Sequence, residues 1–307
     1  MEYLKEKNTF DIPESFEQAF FRDPMLVTDL TQVMTLKQRG VVDKTDIKIL
    51  ELIYELKFST VQQLETYANM IGMEKDELDA RLAVLFSNTI INKFGLVDEE
   101  KYKGALPGDI KVFYCLHTGG KQLLDAYSGQ DYIDWVPGYV FSGAKGVIRT
   151  ILAGELYIQF INSNKEFVSH VRKPHYNLKN ADFYGGDEFC LKINNKLTYF
   201  ISDVFLASDK NNLVKQKLRN YETVFASKGW KRYYIDGEDI PSLLFITEND
   251  SVASSLAGTI SELYHFPGPC LISTKERLLS GITTEGSFLY HDRDENKLRK
   301  TCLEALV

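Results

Sequence analysis

The sequence lacks any apolar run of about 18 residues, the length that predicts a membrane-spanning helix, so we expect no membrane partner. It also lacks the apolar core of a secretory signal, because most of its first seven residues are charged. The four cysteines are far apart and form no C-x-x-C pair, which predicts buried free thiols rather than a metal centre. Together these absences predict a cytoplasmic protein.

Positive charge is also in short supply. The formal net charge is −7, which argues against indiscriminate binding to polyanions, because non-specific affinity for nucleic acid comes mainly from Lys and Arg. A local basic face is still compatible with this balance. The five histidines show no H-x-x-x-H or H-E-x-x-H spacing, and the glycine pairs lack the surroundings of a phosphate-binding loop. We therefore expect no cofactor.

The periodicity of apolar residues divides the first half of the chain into three segments. Residues 1–42 predict an N-terminal arm with one or two short helices that pack on the next domain or on a partner chain. Residues 43–127 predict three short helices and then a two-stranded hairpin with a long polar tip, the order of a winged helix-turn-helix. Residues 128–144 contain glycine and proline and predict a linker.

Residues 145–307 predict an α/β domain. A helix and a short strand lead into a hairpin with Asn194-Asn195 at its turn, a tight-turn signal. Helix and strand patterns then alternate, as in a mixed sheet covered by helices. The expected fold class is α+β or α/β, with a winged helix-turn-helix followed by this mixed-sheet domain.

Short motifs along this layout resemble those of one protein family. They are Asp46-x-x-Ile49-Leu50-x-x-Ile53-x-x-x-x-Phe58-x-Thr60-x-x-Gln63-Leu64, Phe113-Tyr114-x-Leu116-x-Thr118-x-Gly120, Ala181-Asp182, Phe200-Ile201-Ser202-Asp203, Lys217-Leu218-x-x-Tyr221 and Ser242-Leu243-Leu244-Phe245-Ile246. Residues 44–263 thus resemble the replication-relaxation family of Gram-positive plasmids and integrative elements. The resemblance implies a C-terminal part similar to the restriction-endonuclease-like fold, and a protein that handles DNA during replication or transfer. It implies no defined reaction.

The helix that a winged helix-turn-helix would place in the major groove is acidic here. Residues 74–82 carry four carboxylates against Lys75 and Arg81. Over residues 44–127, ten Lys and Arg stand against thirteen Asp and Glu, a net charge of −3. This is a poor electrostatic match to DNA, so the helix is equally a candidate surface for a protein partner or for dimerisation.

Two other segments are candidates for DNA contact. The hairpin that would form the wing carries Lys93, Lys101, Lys103 and Lys111, diluted by neighbouring acids, and these lysines could instead be a solvated face. Residues 228–234 combine Lys228, Lys231 and Arg232 with aromatic side chains, a pattern that can hold phosphate and stack on a base. The alternative is that Trp230 and Tyr233 belong to the core.

A metal-dependent nuclease is an alternative for the α/β domain. Restriction-type nucleases place an acid at the start of a hairpin and an acid-x-Lys pattern on the next strand, around a divalent metal. Asp182 and Asp203 are candidate acids, with Glu155 as a third, but Phe205 stands where the lysine belongs. Only a lysine from the following helix, Lys215 or Lys217, could replace it, and Mg²⁺ is expected only under this alternative.

Three functional hypotheses remain open. The first is a non-catalytic, DNA-associated accessory or regulatory protein of a plasmid or mobile element, which binds double-stranded DNA. The second is the metal-dependent nuclease, with Asp182, Asp203 and Lys217 as its residues. The third is an adaptor that uses the acidic helix and the N-terminal arm to bind a relaxase, a replication initiator or a second copy of itself.

Overall fold

A computed structural model describes residues 15–98, 104–129, 134–163, 165–179, 181–232, 240–292 and 297–303. The chain divides into two compact units, unit 1 (residues 1–154) and unit 2 (residues 155–307). Both combine helices with sheet, so a mixed α and β architecture with several sheets is confirmed. Within the described ranges, no helix is both long enough and apolar enough to cross a bilayer.

Unit 1 contains a four-stranded antiparallel sheet of order β1-β3-β4-β2, together with helices. In chain order its elements are β1 (Phe16–Phe20), α1 (Leu30–Gln38), α2 (Lys44–Leu56), β2 (Ser59–Thr60), α3 (Val61–Met70), α4 (Lys75–Ser87), β3 (Ile91–Asp98), β4 (Phe113–Leu116), α5 (Thr118–Tyr127), a 3-10 helix (Pro137–Val140) and the first part of α6 (Ala144–Ile161). The three helices and the strand pair expected for residues 43–127 are all present.

Two helices of unit 1 begin at capping boxes, in which a side chain at the cap and one three residues later satisfy each other's backbone N–H groups. At α2, the Asp43 carboxylate accepts from the Asp46 N–H, and the Asp46 carboxylate accepts from the Asp43 N–H. At α3, Thr60 and Gln63 make the same exchange. These local signals explain why both helix starts could be predicted from the sequence.

The N-terminal arm and the expected linker differ from the prediction. Phe16–Phe20 forms an edge strand paired antiparallel with β3, where short helices alone were expected. The Gln18 amide of this strand donates to the Val140 carbonyl (3.0 Å), and the Phe20 ring meets Phe141 edge-on at 5.6 Å. Part of the segment 128–144 therefore packs on β1. Residues 1–14 and 130–133 lie outside the described residues.

Unit 2 contains a seven-stranded mixed sheet of order β13-β12-β11-β10-β9-β8-β5 and a two-stranded sheet, β6-β7. Its elements are the remainder of α6, β5 (Glu166–Val171), β6 (His175–Leu178), β7 (Ala181–Tyr184), β8 (Glu188–Ile193), β9 (Lys196–Phe205), α7 (Asn211–Ala226), a 3-10 helix (Gly229–Arg232), β10 (Ser242–Thr247), α8 (Asp250–Leu263), β11 (Cys270–Thr274), α9 (Lys275–Leu279), β12 (Phe288–Asp292) and β13 (Lys297–Thr301). The strands β6, β7, β12 and β13 were not predicted.

The centre of the seven-stranded sheet is parallel, because β10 runs parallel to both β9 and β11, whereas the outer pairings are antiparallel. One face of this centre packs on α7 and α8 through a core that includes Ile201, Phe205 and Phe245. Successive strand residues point to opposite faces, and accordingly Phe200 contacts Phe160 of α6 instead (5.3 Å between ring centroids). The α7 side of β9 is where the chemically distinctive residues of unit 2 meet.

Candidate functional site

Asp203 is a carboxylate within the core face of β9. It lies two residues from both Ile201 and Phe205, so alternation places all three on the α7 side of the sheet. Its side chain is only 13% exposed. A carboxylate in such a place needs hydrogen-bond and ion-pair partners, because burial without them is costly.

Lys217 of α7 is the ion-pair partner of Asp203. Its Nζ lies 2.8 Å from Asp203 Oδ1 and 5.1 Å from the centre of the Phe205 ring. Phe205 occupies the position that the acid-x-Lys pattern reserves for lysine. The structure therefore places the ammonium of a lysine of α7 against the carboxylate of β9. This is the arrangement expected for Lys217 under the nuclease alternative. The other candidate, Lys215, contributes its backbone carbonyl to a hydrogen bond from Tyr264.

Tyr221, one helical turn after Lys217, binds the second oxygen of Asp203. Its hydroxyl donates to Asp203 Oδ2 (2.9 Å) and accepts from the Gly186 N–H (2.8 Å). Burial raises the pKa of Tyr221 well above its ordinary value, and the negative charge of Asp203 is the second largest cause. The hydroxyl is therefore a fixed neutral donor to Asp203 rather than a proton acceptor in catalysis.

Gly186 brings a second carboxylate to this cluster. A Cβ at Gly186 would lie 1.5 Å from the Ser202 carbonyl oxygen, so only glycine permits this approach to β9. The next residue, Asp187, accepts the Ser202 N–H at its backbone carbonyl (2.7 Å). Its negative charge also contributes to the raised pKa of Tyr221. We refer to Asp187, Asp203, Lys217 and Tyr221 as the Asp203 cluster.

The hydrogen bonds of the two carboxylates limit what the Asp203 cluster can do. Asp203 Oδ1 accepts from Lys217 and from the Val204 N–H (2.7 Å), while Oδ2 is taken by Tyr221. Asp187 Oδ1 accepts from the Lys173 N–H, and Oδ2 lies 3.4 Å from His170 Nε2. In the described part of the chain, no group of three or more His, Cys, Asp or Glu has a metal-binding arrangement. Asp187 and Asp203 are the two oxygen donors that a hard divalent cation would use here.

The other two candidate acids have different neighbours. Asp182 lies on the β6-β7 hairpin, 69% exposed, with its carboxylate 2.6 Å from His175 Nε2. Glu155 is buried and accepts a hydrogen bond from Gln159 (3.2 Å). Burial lowers the pKa of Lys275, and the negative charge of Glu155 partly offsets this effect. Asp187, which directly precedes β8, was not predicted as a candidate from the sequence.

The lysines expected on the wing are only partly described. Lys93 is half-buried, with its ammonium over the rings of Phe21 (4.7 Å) and Phe86 (4.6 Å). Burial and the nearby Arg22 lower its pKa. Lys111 is buried, so the expectation that it belongs to an exposed basic face is wrong. Lys101 and Lys103 lie outside the described residues.

The basic and aromatic segment 228–234 is anchored by a core tryptophan. Trp230 is 3% exposed within the core of unit 2, so it cannot stack on a nucleic-acid base. Lys231 is exposed, with its ammonium 5.4 Å from the Trp230 ring, and Lys228 is exposed as well. The side chain of Arg232 and residues 233–239 lie outside the described residues. The alternative that Trp230 is a core residue is confirmed.

A basic surface that was not predicted from the sequence begins at α7. Lys210, at the helix cap, and Arg219 are exposed, and Lys215 is partly exposed. None of the three makes an ion pair with a described carboxylate. The helix N-terminus adds partial positive charge beside Lys210. Lys215 and Arg219 are one helical turn apart, whereas Lys217 lies two positions from each, on the opposite side of the helix, where it meets Asp203. We refer to Lys210, Lys215 and Arg219 as the α7 basic face.

The exposed side of α4 is more acidic than its composition indicates. Leu78, Leu82 and Leu85 face the core, and the carboxylates of residues 74, 76, 77 and 79 are exposed. Both basic residues near them are already paired, Lys75 with Glu65 and Arg81 with the buried Asp46. In the ranges that the structure describes, none of these four carboxylates is ion-paired.

Comparison with known proteins adds no relative: no family model, no curated protein and no solved structure matches this chain.

Proposed function

We propose that this chain is a DNA-associated accessory or regulatory protein that binds double-stranded DNA through the α7 basic face of unit 2. The observation that carries the proposal is that Lys210, Lys215 and Arg219 on α7 make no ion pair with a carboxylate of the described residues. The negative charge of the nearby Asp203 repels a DNA phosphate only weakly, because both its oxygens already accept hydrogen bonds from Lys217 and Tyr221. Lys228 and Lys231, on the segment that follows α7, extend the same positive character.

The order of helices and strands in unit 1 also supports DNA binding. We interpret α2, β2, α3, α4, β3 and β4 as a winged helix, because their order and the sheet order β3-β4-β2 agree with that fold. We interpret the antiparallel meander, the helix and the parallel strand of unit 2 as a restriction-endonuclease-like arrangement. The proposed setting, a cytoplasmic protein of a plasmid or mobile element, rests on the resemblance to the replication-relaxation family alone.

Charge reversal on α7 tests the proposal. The double variant Lys215→Glu/Arg219→Glu should weaken binding to a fluorescently labelled duplex by at least about tenfold, because two phosphate contacts become repulsive. A matched control is Lys196→Glu/Lys297→Glu, two exposed lysines on strands of the same unit. Equal losses in the two double variants would show that only overall charge matters. No binding by the unmodified protein at low salt would remove the DNA proposal.

A metal-dependent nuclease is the second candidate, favoured by the 2.8 Å contact between Lys217 and Asp203. Asp187 and Asp203 would hold Mg²⁺, which would supply charge stabilisation at the phosphate. Lys217 would orient the attacking water, with Tyr221 fixing the Asp203 carboxylate. Asp182 is replaced by Asp187 in this proposal because Asp187 shares the Tyr221 environment with Asp203.

Cleavage of supercoiled plasmid with Mg²⁺ or Mn²⁺ tests the nuclease candidate. Asp203→Asn, Asp187→Asn and Lys217→Met should each abolish cutting, whereas Asp182→Asn should leave it unchanged. Absence of cutting with either metal by the unmodified protein would reject this candidate and leave the DNA-binding proposal standing.

A protein-binding role for α4 is a third candidate, favoured by its four exposed carboxylates, which make no ion pair with the described residues. The partner would carry a basic surface. The candidates are a relaxase, a replication initiator or a second copy of this chain. The variant Asp76→Lys/Glu77→Lys separates the alternatives. DNA binding should strengthen if α4 faces DNA, and capture of the partner should fail if α4 faces protein.

A further inference from the structure

The β6-β7 hairpin of unit 2 has one buried side and one exposed side, as the alternation of side chains along a strand requires. On the buried side, Tyr176 belongs to the core of unit 2, and Phe183 of the opposite strand stacks on it with 5.2 Å between the ring centroids. The exposed side carries His175, Asn177, Lys179, Asp182 and Tyr184. We refer to these five residues as the outer face of the hairpin.

Contacts on the buried side fix the position of the outer face. The Tyr176 hydroxyl donates a hydrogen bond to the buried Glu188 carboxylate, and the Phe183 ring meets the Tyr221 ring edge-on at 5.8 Å. After β7 the chain passes close to Tyr176, because a Cβ at Gly185 would lie 2.5 Å from the Tyr176 ring. The hairpin is therefore a fixed part of unit 2, and a partner would meet its outer face already in place.

The outer face presents an exposed aromatic stack. Tyr184 is 72% exposed, and its ring stacks on the His175 ring at 4.6 Å and an interplanar angle of 23°. The His175 Nε2 atom lies 2.6 Å from the Asp182 carboxylate, which holds the imidazole in this orientation. One side of the Tyr184 ring thus rests on His175, and its exposure leaves the other side open to solvent. Another planar ring could extend this stack.

Two lysines lie at the two ends of the hairpin. Lys173 precedes β6 and Lys179 is at the turn; both are exposed, and neither makes an ion pair with a carboxylate of the described residues. The single carboxylate of the outer face, Asp182, already accepts from His175. The outer face contains no aliphatic side chain, so it offers little apolar area to a protein partner. An aromatic ring between cations is instead suited to a nucleic-acid strand, whose bases stack and whose phosphates pair with lysine.

We propose that the outer face binds single-stranded nucleic acid, with one unpaired base stacked on Tyr184 and the phosphates of flanking nucleotides at Lys173 and Lys179. The base must be unpaired, because the faces of a base within a duplex are covered by its neighbours. This surface is distinct from the α7 basic face, and the proposal does not depend on duplex binding there.

Anisotropy of a fluorescein-labelled oligothymidylate of about 15 nucleotides, titrated with the full chain, tests the proposal. Tyr184→Ser should weaken binding at least about fivefold, because one base loses its stacking partner, whereas Tyr184→Phe keeps the ring and should stay within about twofold of the unmodified protein. The control Tyr127→Ser, at an exposed tyrosine of unit 1, should have no effect. Binding to a duplex should be the same in Tyr184→Ser as in the unmodified protein.

Photo-crosslinking gives a second readout that needs no substitution. With 5-iodouracil in place of thymine, irradiation should attach the strand to Tyr184 of the unmodified protein, and mass spectrometry locates the adduct. The proposal would be overturned if the unmodified protein did not bind oligothymidylate, if Tyr184→Ser and Tyr127→Ser had equal effects, or if adducts formed only elsewhere on the chain. Binding to the single strand without binding to a duplex would uphold it and reject only the role of the α7 basic face.

Discussion

Removing a single oxygen atom, in Tyr221→Phe, should destabilise unit 2 well beyond the cost of an ordinary hydrogen bond. The hydroxyl donates to Asp203 Oδ2 at 2.9 Å and accepts from the Gly186 N–H at 2.8 Å. Phenylalanine keeps the ring contacts with Phe183 and Phe245. The loss therefore isolates the two polar contacts, because no cavity larger than the oxygen is created.

The expected loss follows from the two groups left behind. A hydrogen bond to a charged acceptor contributes about 1.5–3 kcal/mol, and an unsatisfied buried N–H costs about 1–3 kcal/mol. Since both groups are only partly buried and water can replace some of the contact, we expect a decrease of about 2–4 kcal/mol in the free energy of unfolding. Urea denaturation measures it. The control Tyr264→Phe removes a hydroxyl that donates to a backbone carbonyl in the same unit, and should cost about 1 kcal/mol. Equal effects of the two variants, or a loss below about 0.5 kcal/mol for Tyr221→Phe, would refute the account of the Asp203 cluster.

Three further predictions concern stability. Gly186→Ala should prevent folding of unit 2 or cost more than about 3 kcal/mol, because its Cβ would overlap the backbone of β9. The control Gly258→Ala, in an open position on α8, should stabilise the protein by about 0.5–1 kcal/mol in thermal melts. Arg81→Met should cost about 3 kcal/mol in urea denaturation, because it leaves the fully buried Asp46 carboxylate without its cation; a cost below about 1 kcal/mol would contradict this. Burial lowers the pKa of His117, so the unfolded chain takes up a proton first as the pH falls below about 6.5. Between pH 7 and pH 5 the unfolding free energy of the unmodified protein should therefore decrease. The decrease should be less steep in His117→Asn, which retains a capping acceptor. An unchanged slope would exclude His117 as the cause.

Local signals made much of the fold predictable. The capping boxes at Asp43 and Thr60 mark the starts of α2 and α3, and Asn194-Asn195 marks the β8-β9 hairpin, where both residues have positive φ. Strand β1 carried no comparable signal. Its pairing with β3 depends on residues about 80 positions further along the chain, as in Glu17 opposite Val97, and on contacts with Val140. Such pairings leave no mark on local periodicity.

The candidate site was predictable in part. The sequence indicated that only a helical lysine could replace the one missing at Phe205, and Lys217 does meet Asp203. It did not indicate Asp187, because the approach of Gly186 to Ser202 is a tertiary contact that no spacing reports. The exposure of lysines was equally out of reach. Lys111 is buried although a polar, charged segment ends at Asp109, just before it.

The salt dependence of duplex binding tests the central claim most directly, because phosphate contacts release counterions in proportion to their number. Fluorescence anisotropy of a labelled duplex, titrated between about 50 and 200 mM salt, gives the slope of log affinity against log salt. We expect salt-sensitive binding by the unmodified protein, and a slope reduced by about two in Lys215→Glu/Arg219→Glu, since each phosphate contact contributes about 0.9. Binding that does not respond to salt, or a slope that the double variant leaves unchanged, would contradict recognition of DNA by the α7 basic face.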